Sequence, residues 1–372
     1  KRFLQYYKPY KGIFFMDLFC ALIMCIVDLS FPLILSYCTG QFFLNSSNEI
    51  LKGVFVLGIG LLVMYVIRAL CRYYVSCQGH VMGANMESDM RQDLFNQYQR
   101  LSFSYYDKHN TGVMMSRVVS DLFDICEFAH HGPENLFISL FKIVGSFIIL
   151  ATIYWPLALI LLAVTVVMMV FSYSQNKKVR RTFMENRKKI GSVNASLQDS
   201  LGGIRVVQSF ANEDIEIDKF NHSNMEFLES KKDNYRVMGT FQGGNNFFQG
   251  LLYVTIIVFG GLFIANGDLN PIVLATFALY INVFVSPIEV LVEFTEMFQK
   301  GFSGFRRFEE VMNEVPEIQD SKNAKDLKNV SGNIDFDHVS FQYNENEKVI
   351  DDVNLHIKAG EKIALVECQL SR

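Results

Sequence analysis

The sequence has few charged residues, few prolines and no excess of positive charge. Charged residues make up 19% of the 372 residues, and only 7 residues are proline. The formal net charge is −4, so no overall basic field points to nucleic acid as a partner. A soluble nucleic-acid-binding protein is therefore not expected.

The cysteines lack the spacing of a metal site or a redox motif. They occupy positions 20, 25, 38, 71, 77, 126 and 368, and no two form a Cys-x-x-Cys pair. A disulfide scaffold and a cysteine-based metal cluster are both disfavoured by this pattern. We interpret the cysteines as small buried apolar residues in a reducing or membrane setting.

Apolar residues are abundant. Half of the chain is hydrophobic, with 34 Phe and 15 Met, and the mean hydropathy is +0.19. A transmembrane helix needs about 20 mostly apolar residues. Six stretches meet this requirement: 13–36, 51–70, 133–154, 156–174, 246–265 and 272–297. The sequence predicts an integral membrane protein whose spans contact lipid.

The loops between these stretches alternate in charge. The loops after the first, third and fifth stretches are short, with Lys52 their only basic residue, whereas residues 68–132 and 175–245 are rich in lysine and arginine. Basic residues accumulate on the cytoplasmic side of a membrane. We therefore predict that both termini and both long loops are cytoplasmic, with the cell membrane as the location. The opening residues 1–12, which mix aromatics with lysines, suit an interfacial helix.

Both long loops show the periodicity of helices that leave the membrane. A stripe with a four-residue period follows the second span: Met82, Met86, Met90, Leu94 and Tyr98. This pattern indicates an amphipathic helix that packs on another helix. A second stripe extends the fourth span: Val179, Phe183, Ile190, Val193, Leu197, Leu201 and Ile204. Turns are predicted at 110–112, with Thr111 as the helix cap, and at Gly202-Gly203. The result is two long cytoplasmic helical hairpins.

Three segments carry a family resemblance. "DLFNQYQRLSFSYYDKHNTGVMMSRVVSDL" and "NASLQDSLGGIRVVQSFANEDIEIDKF" resemble the two intracellular loops of ATP-binding-cassette (ABC) exporters of the six-helix, domain-swapped type. "GNIDFDHVSFQYNENEKVIDDVNLHIKAGEKIALV" is similar to the opening of their nucleotide-binding domain. The resemblance covers nearly the whole chain.

The resemblance implies a fold and a domain plan. The fold is mainly α: six transmembrane helices with two long cytoplasmic hairpins, followed by a small antiparallel β piece of an incomplete nucleotide-binding domain. The implied divisions are an interfacial elbow helix (1–12), a transmembrane domain (13–313), a linker (314–331) and the start of the ATP-binding domain (332–372).

In this family the loop tips are coupling helices that press on the nucleotide-binding domains. The match implies such roles for five residues of the first tip, namely Tyr105, Tyr106, Asp107, Lys108 and His109. It implies the same for five residues of the second tip, namely Arg205, Gln208, Ser209, Phe210 and Asn212. An aromatic anchor with a polar rim is physically suited to a small interface. The alternative is that both tips are ordinary solvated turns.

The C-terminal segment predicts strands over "NIDF", "HVSFQY", "VNLHIK" and "KIALV". Tyr343 stands where the family places the aromatic residue that stacks on adenine. In the family, a glycine-rich Walker A loop follows and, with ATP and Mg2+, completes the site. Here Glu367 occupies the place of the first glycine and no lysine follows. We expect this chain alone to bind no nucleotide, to have no catalytic residue and not to be an ATPase.

Acidic residues of the sixth span indicate where cargo binds. Glu289, Glu293 and Glu296 follow Pro287, and a charge inside a span usually faces a water-filled path or a partner. A cavity with such acids among Phe and Met side chains suits amphipathic, cationic cargo. Alternatively, Glu293 and Glu296 lie at the membrane boundary and are solvated. We expect no metal site at His130-His131, because adjacent helical residues do not face one another and no third ligand is near in sequence.

The resemblance implies the membrane-spanning half of an ATP-driven exporter of drugs, lipids or peptides, working by alternating access. Its partners would be a second half-transporter, in a homodimer or heterodimer, and the nucleotide-binding domains. The main alternative is a truncated, non-transporting fragment with a structural or interaction role beside an intact partner. A six-span channel or receptor is a third possibility, which the paired hairpins disfavour.

Overall fold

A computed structural model describes residues 2–321, 323–326, 328, 330–344 and 347–364 of the chain. It does not describe the side chains of residue 293 and of residues 343, 344, 347 and 348. The chain divides into two compact units, Lys1–Val315 and Pro316–Arg372. The first unit is helical, and the second contains a small sheet.

The described part of the first unit is built of α-helices joined by short turns. The helices are α1 (Arg2–Tyr6), α2 (Lys11–Gly40), α3 (Ser47–Tyr74), α4 (His80–Arg100), α5 (Phe103–Lys108), α6 (Thr111–Ser116), α7 (Leu122–Gly202), α8 (Ile204–Ser209), α9 (Glu213–Ala265) and α10 (Pro271–Met312). Two π-helical turns, Val75–Gly79 and Arg117–Asp121, precede α4 and α7.

Helix α7 is two helices that meet at a kink. Tyr154 has the extended backbone angles φ −157° and ψ 96°, and Pro156 follows two residues later. Proline lacks a backbone N–H and disfavours helical geometry in the residue before it, so a break is expected here. Five helical segments are long and apolar enough to cross a membrane, and α7 carries two of the predicted spans. The chain is thus a mainly α membrane protein with six transmembrane helices, as the sequence predicts.

The core of the membrane region lies between α7, α9 and α10. Phe277, Tyr280 and Phe284 of α10 are fully buried there, against Leu157 and Leu161 of α7 among others. The Tyr280 hydroxyl donates a hydrogen bond of 2.5 Å to the carbonyl of Leu29 in α2. This bond satisfies the polar atom of a buried aromatic ring and ties a fourth helix to the core.

A second core runs along α4, where the methionine stripe is buried as predicted. Met82, Met86, Met90 and Leu94 pack against residues of α7 and α10, including Ile125 and Phe308. The four-residue period therefore marks a helix–helix interface.

The second stripe has a different environment. Val193 is buried, but Phe183, Leu197, Leu201 and Ile204 are exposed. Both hairpins touch α10: Phe308 of α10 packs into the core of the first, and Asn176, near the start of the second, donates a 3.0 Å hydrogen bond to the Val292 carbonyl of α10. Periodicity predicted both helices but did not reveal which apolar face the chain itself covers.

The two predicted turns form, with one change of cap. Asn110, not Thr111, caps α6, because its side-chain oxygen accepts a 2.7 Å hydrogen bond from the Gly112 N–H. Thr111 is the first helical residue. The second turn follows Gly202, where Gly203 ends α7 as predicted and α8 begins at the next residue.

The second unit contains an antiparallel pair of strands, β1 (Ile334–Asn344) and β2 (Glu347–Ile357). Ile334 pairs with Ile357 and Phe336 with Leu355, with irregularities further along the ladder. "NIDF" and "HVSFQY" thus form one strand. The predicted strand "KIALV" does not form over residues 362–364, and its last two residues lie outside the described part. A strand needs a neighbour for its backbone hydrogen bonds, and these described residues have none.

Candidate functional site

The first hairpin ends in α5. Some aromatic side chains of α5 are buried and others are exposed to solvent. Tyr105 is 8% exposed, and its ring stacks on that of His109 with centroids 4.1 Å apart. The Tyr106 hydroxyl donates to the Tyr98 carbonyl. Burial raises the pKa of Tyr98 to about 12, so its hydroxyl stays neutral near pH 7. Tyr105 and His109 therefore pack against each other within the tip.

The outer surface of this tip is formed by other residues. Asp107 and Lys108 are exposed, as predicted for a polar rim. Phe103, which was not among the residues predicted from the sequence, is 85% exposed and is the more exposed of the two outward aromatic residues, the other being Tyr106. Its only sequence signal is a large aromatic between two serines, a pattern too common to single it out.

The second hairpin ends in α8, and the predicted residues there all lie on the surface. Arg205, Gln208, Ser209, Phe210 and Asn212 are exposed. The Ser209 hydroxyl donates to the Arg205 carbonyl at 2.6 Å, which closes the short helix. Ala211 has a φ of 49°, so the chain turns sharply before α9.

An apolar groove lies behind the second tip. It has a volume of about 320 Å³, and Leu201, Ile204, Ile217 and Phe220 line it together with Glu216. Hydrogen bonds from Lys219 and from Ser200 hold the pKa of Glu216 below its ordinary value. The groove is therefore largely apolar, with the carboxylates of Glu213 and Glu216 among its lining groups.

Within the membrane region, three charged residues from three helices meet. Asp28 of α2 lies 2.8 Å from Arg68 Nε of α3 and 2.6 Å from Lys142 Nζ of α7. An ionised residue in a span is costly unless it is paired or faces water. Arg68 falls in the basic stretch 68–132 that was predicted to be a loop, because nothing local in the sequence shows that it reaches Asp28.

A pocket opens beside this charged group. Its volume is about 320 Å³, and its walls combine aromatic, polar and charged side chains: Asp28, Phe31, Tyr65, Lys142, Asn282 and Ser286. Such a mixture of apolar walls and a few polar groups is typical of a ligand-binding pocket. Of its charged lining residues, Lys142 offsets Asp28, so the lining itself carries no net formal charge.

The acids of α10 do not share one environment. Glu289 lines a polar pocket of about 250 Å³ with Gln242, Asn245 and Gln249 of α9. Glu296 is exposed and pairs with Lys300 at 2.8 Å, one turn along the same helix. The Glu293 side chain lies outside the described part of the structure. Of the two described acids, only Glu289 lines a pocket.

The second unit holds Tyr343, which the resemblance places against adenine, and Glu367, which stands in the place of the family's first phosphate-loop glycine. Tyr343 lies in β1, but its side chain is among those not described, and Glu367 also lies outside the described residues. Phosphate binds readily at the N-terminus of a helix that follows a glycine-rich turn. Residues 316–364, where described, contain no helix. They therefore supply no cradle of this kind for the phosphates of ATP.

Comparison with known proteins supports the transporter resemblance. The family model for the ABC transporter transmembrane region matches residues 14–288. The chain is 37% identical over 373 residues to the uncharacterised ABC transporter ATP-binding protein YwjA of Bacillus subtilis (strain 168), covering 98% of this chain and 63% of that protein.

More distant relatives have names that refer to cargo. The chain is 25% identical to an ATP-dependent lipid A-core flippase of Syntrophus aciditrophicus, over 98% of this chain and 60% of that protein. It is 26% identical to a putative multidrug export ATP-binding/permease protein of Staphylococcus aureus, over 98% of this chain and 64% of that protein. The chain thus spans 60–64% of the length of these three relatives.

Proposed function

Because the chain belongs to the family of ABC transporter transmembrane regions, we propose that it forms the membrane-spanning half of an ATP-driven exporter. Its cargo would be hydrophobic or amphipathic and would leave the cytoplasm by alternating access. The observation that carries this proposal is the pair of long hairpins, which end in the short helices α5 and α8. A channel or receptor has no need of two such projecting ends.

The two tips are suited to transmit motion of the nucleotide-binding domains to the transmembrane helices. Each short helix presents an exposed aromatic residue, Phe103 in the first and Phe210 beside the second. A buried aromatic at the centre of a small interface can supply most of its binding energy. We propose that Phe103 and Phe210, with the polar residues around them, bind the nucleotide-binding domains.

The pocket beside Asp28 and the pocket beside Glu289 are the proposed cargo sites. Phe31 and Tyr65 offer apolar surface, while Asn282 and Ser286 offer hydrogen bonds. The carboxylate of Glu289 adds a negative group in a pocket lined by amides. An amphipathic molecule with a cationic group fits the second pocket better than the first, because Lys142 offsets the charge of Asp28 in the first.

A second transmembrane half is the proposed partner. The second hairpin leaves apolar side chains such as Leu201, Val206 and Ile217 exposed. Large exposed apolar patches usually mark interaction sites. A partner subunit and the nucleotide-binding domains would cover this surface, in a homodimer or a heterodimer.

ATP and Mg2+ enter the proposal only as ligands of the complete transporter. The described residues of the second unit contain neither a glycine-rich phosphate loop nor a helix N-terminus. No step of hydrolysis is therefore assigned to this chain. Its own contribution is to bind cargo and to change conformation when the tips are moved.

Transport into proteoliposomes tests the proposal. The complete protein should accumulate a fluorescent amphipathic dye when ATP is supplied. Phe103→Ala and Phe210→Ala should each lower transport at least several-fold while ATP hydrolysis continues. Met184→Ala, an exposed apolar residue on the shaft of α7, is the matched control and should transport normally. Normal transport by a Phe103→Ala/Phe210→Ala double variant would refute the coupling role.

Labelling in intact cells tests the orientation. Lys108→Cys and Arg205→Cys should react with a membrane-impermeant maleimide only after permeabilisation, whereas Asn48→Cys should react at once. Native background is low, because the described cysteines are buried apart from Cys77, which is half-buried. Reaction of Lys108→Cys or Arg205→Cys in unpermeabilised cells would overturn the proposed topology.

A further inference from the structure

A cluster of histidines and acids lies where three helices meet at one end of the predicted spans. Asp17 comes from α2, His80 from the first residue of α4, and His130, His131 and Glu134 from α7. One nitrogen from each histidine lies within 4.8 Å of the others, and the same holds for ligand atoms of Asp17, His130 and Glu134. His130 belongs to both groups.

The rings of His130 and His131 lie closer together than is expected for adjacent residues of a helix. The ring centroids of His130 and His131 lie 4.4 Å apart. The His80 ring lies 4.7 Å from that of His130 and 5.0 Å from that of His131. His80 is therefore the third histidine that was missing from the local sequence, and it reaches the pair from another helix.

Three polar atoms at the centre of the cluster lack a hydrogen bond to any described residue. His130 is 3% exposed and Asp17 is 2% exposed. Among the residues that the structure describes, neither ring nitrogen of His130 has a hydrogen-bond partner, and nor does one carboxylate oxygen of Asp17. Buried polar side chains are nearly always hydrogen-bonded, so such atoms call for a ligand.

The charges in the cluster also call for a cation. Glu134 has ion-pair contacts with His130 at 4.0 Å and His131 at 3.6 Å. Among the described residues, no lysine or arginine pairs with Asp17 or Glu134. Asp28, on the same helix as Asp17, is held by both Arg68 and Lys142. Buried carboxylates without a fixed cation are costly, and a divalent ion would neutralise two of them.

The backbone before His80 approaches the cluster closely. The π-helical turn Val75–Gly79 ends immediately before His80. A β-carbon added to Gly79 would overlap the His130 ring, so the close approach of this turn to the imidazole depends on glycine. Single π-helical turns inside long helices occur frequently at functional sites.

We propose that His80, His130, His131 and Glu134 bind a divalent transition-metal ion, with Zn2+ as the representative. Imidazole nitrogens favour such ions, whereas Ca2+ and Mg2+ favour sites made of oxygen. Asp17 is placed to accept a hydrogen bond from the His130 nitrogen that does not bind the metal. Ligand atoms of a tetrahedral zinc site lie roughly 3.3 Å from one another. The proposed ligand side chains would therefore move closer together when the ion binds.

Such an ion would link α2, α4 and α7 at the base of the first hairpin. The ion would hold these helices in one arrangement, independently of what the protein transports. The proposal does not rest on the proposed function, and direct metal binding tests it without any transport assay.

The test uses the complete protein, purified in lipid nanodiscs with a tag free of histidine and stripped with a chelator. Titration with Zn2+ against a chromogenic chelator should show one tight site per chain. Co2+ should give the intense visible absorption of a tetrahedral site. His80→Ala should lower Zn2+ affinity by about 10–100-fold or more, and Glu134→Gln should also weaken binding.

Matched controls separate this site from accidental binding. His80 is exposed, so His80→Ala leaves the core intact, and gel filtration confirms that each variant folds. A His109→Ala/His222→Ala double variant removes two histidines outside the cluster and should bind as tightly as the wild type. Absence of saturable Zn2+ uptake by the wild type would overturn the proposal. Equal binding by the wild type and His80→Ala would also overturn it.

Discussion

Arg307 and Asp121 form a two-pronged ion pair that joins the last helix of the first unit to the base of the first hairpin. Arg307 Nε and Nη2 each lie 2.6 Å from one oxygen of the Asp121 carboxylate. A third guanidinium nitrogen donates to the Ser303 hydroxyl at 2.8 Å. Paired donors of this geometry make arginine–carboxylate contacts strong and specific.

Removing the guanidinium should destabilise the protein. Asp121 is buried, and Arg307→Ala would leave its carboxylate without a partner. The side chain of Arg307 is 37% exposed, so we expect a loss of about 1–3 kcal/mol, below the value for a fully buried pair. Thermal unfolding in detergent measures the change.

The neighbouring arginine is the matched control for that variant. Arg306 is 73% exposed and pairs with Glu310 at 3.6 Å. Arg306→Ala should change the free energy of unfolding by less than about 0.5 kcal/mol, as exposed pairs usually do. Equal effects of Arg306→Ala and Arg307→Ala would contradict the importance of the paired geometry.

Asp28→Asn should destabilise the membrane region, because it leaves the charges of Arg68 and Lys142 without a carboxylate. We expect a loss of about 2 kcal/mol, since these side chains are only partly buried. A second change, Lys142→Met, should restore part of the loss in the double variant. The unfolding temperatures of the two single variants and the double variant give the coupling energy.

Asp268→Asn provides the comparison, because Asp268 is an exposed acid in the loop before α10. It should leave the unfolding temperature unchanged. Strictly additive effects of Asp28→Asn and Lys142→Met would show that the two charges do not depend on each other.

Glu289→Gln should reduce transport of a cationic dye several-fold and leave a neutral dye less affected. Glu289 lines a pocket with the amides of α9, so its charge is available to cargo. Glu296→Gln is the control, since Glu296 is exposed and paired with Lys300. Dye uptake in proteoliposomes distinguishes them, and unchanged uptake of the cationic dye by Glu289→Gln would exclude the carboxylate from cargo binding.

The strand pair of the second unit should be more ordered at mildly acidic pH. His356 and Asp335 face each other across the two strands, and a hydrogen bond to Asp335 raises the pKa of His356 above its ordinary 6.5. Because the pKa of His356 is raised in the folded state, its interaction with Asp335 stabilises the hairpin fully below about pH 6.5. That stabilisation is lost as the pH rises through the folded-state value.

Amide exchange over residues 334–344 and 347–357, corrected for intrinsic rates, measures this effect. Protection should fall between pH 6 and pH 8.5 in the wild type. Asp335→Asn removes the partner charge and should abolish the difference. The same pH dependence in Asp335→Asn would show that another group is responsible.

Elements with a strong local period were predictable. The stripe from Met82 to Tyr98 required only that apolar residues recur every fourth position, and the structure buries it. Gly202 and Gly203 broke the helix where the sequence placed the break. Local rules were weaker where neighbouring residues compete, because either Asn110 or Thr111 can cap a helix and only the backbone conformation selects one.

Contacts between distant segments could not be predicted. Arg68 lies 40 residues from Asp28 in sequence, and no periodicity relates the two. The resemblance selected Tyr105 at the tip and not Phe103, but packing turned Tyr105 inward and left Phe103 exposed. The segment "KIALV" has strand composition, yet its residues 362–364 form no strand because no described neighbour pairs with them.

The sequence by itself determined that the chain crosses a membrane, that two helical hairpins leave it, and where those hairpins turn. These features follow from hydropathy and from side-chain periods, which act over a few residues. Only the tertiary structure decided which charges meet inside the helical bundle, which apolar stripe stays exposed, and that His80 joins His130 and His131. Those outcomes depend on the angles and registers at which whole helices pack, and such geometry is a property of many residues together.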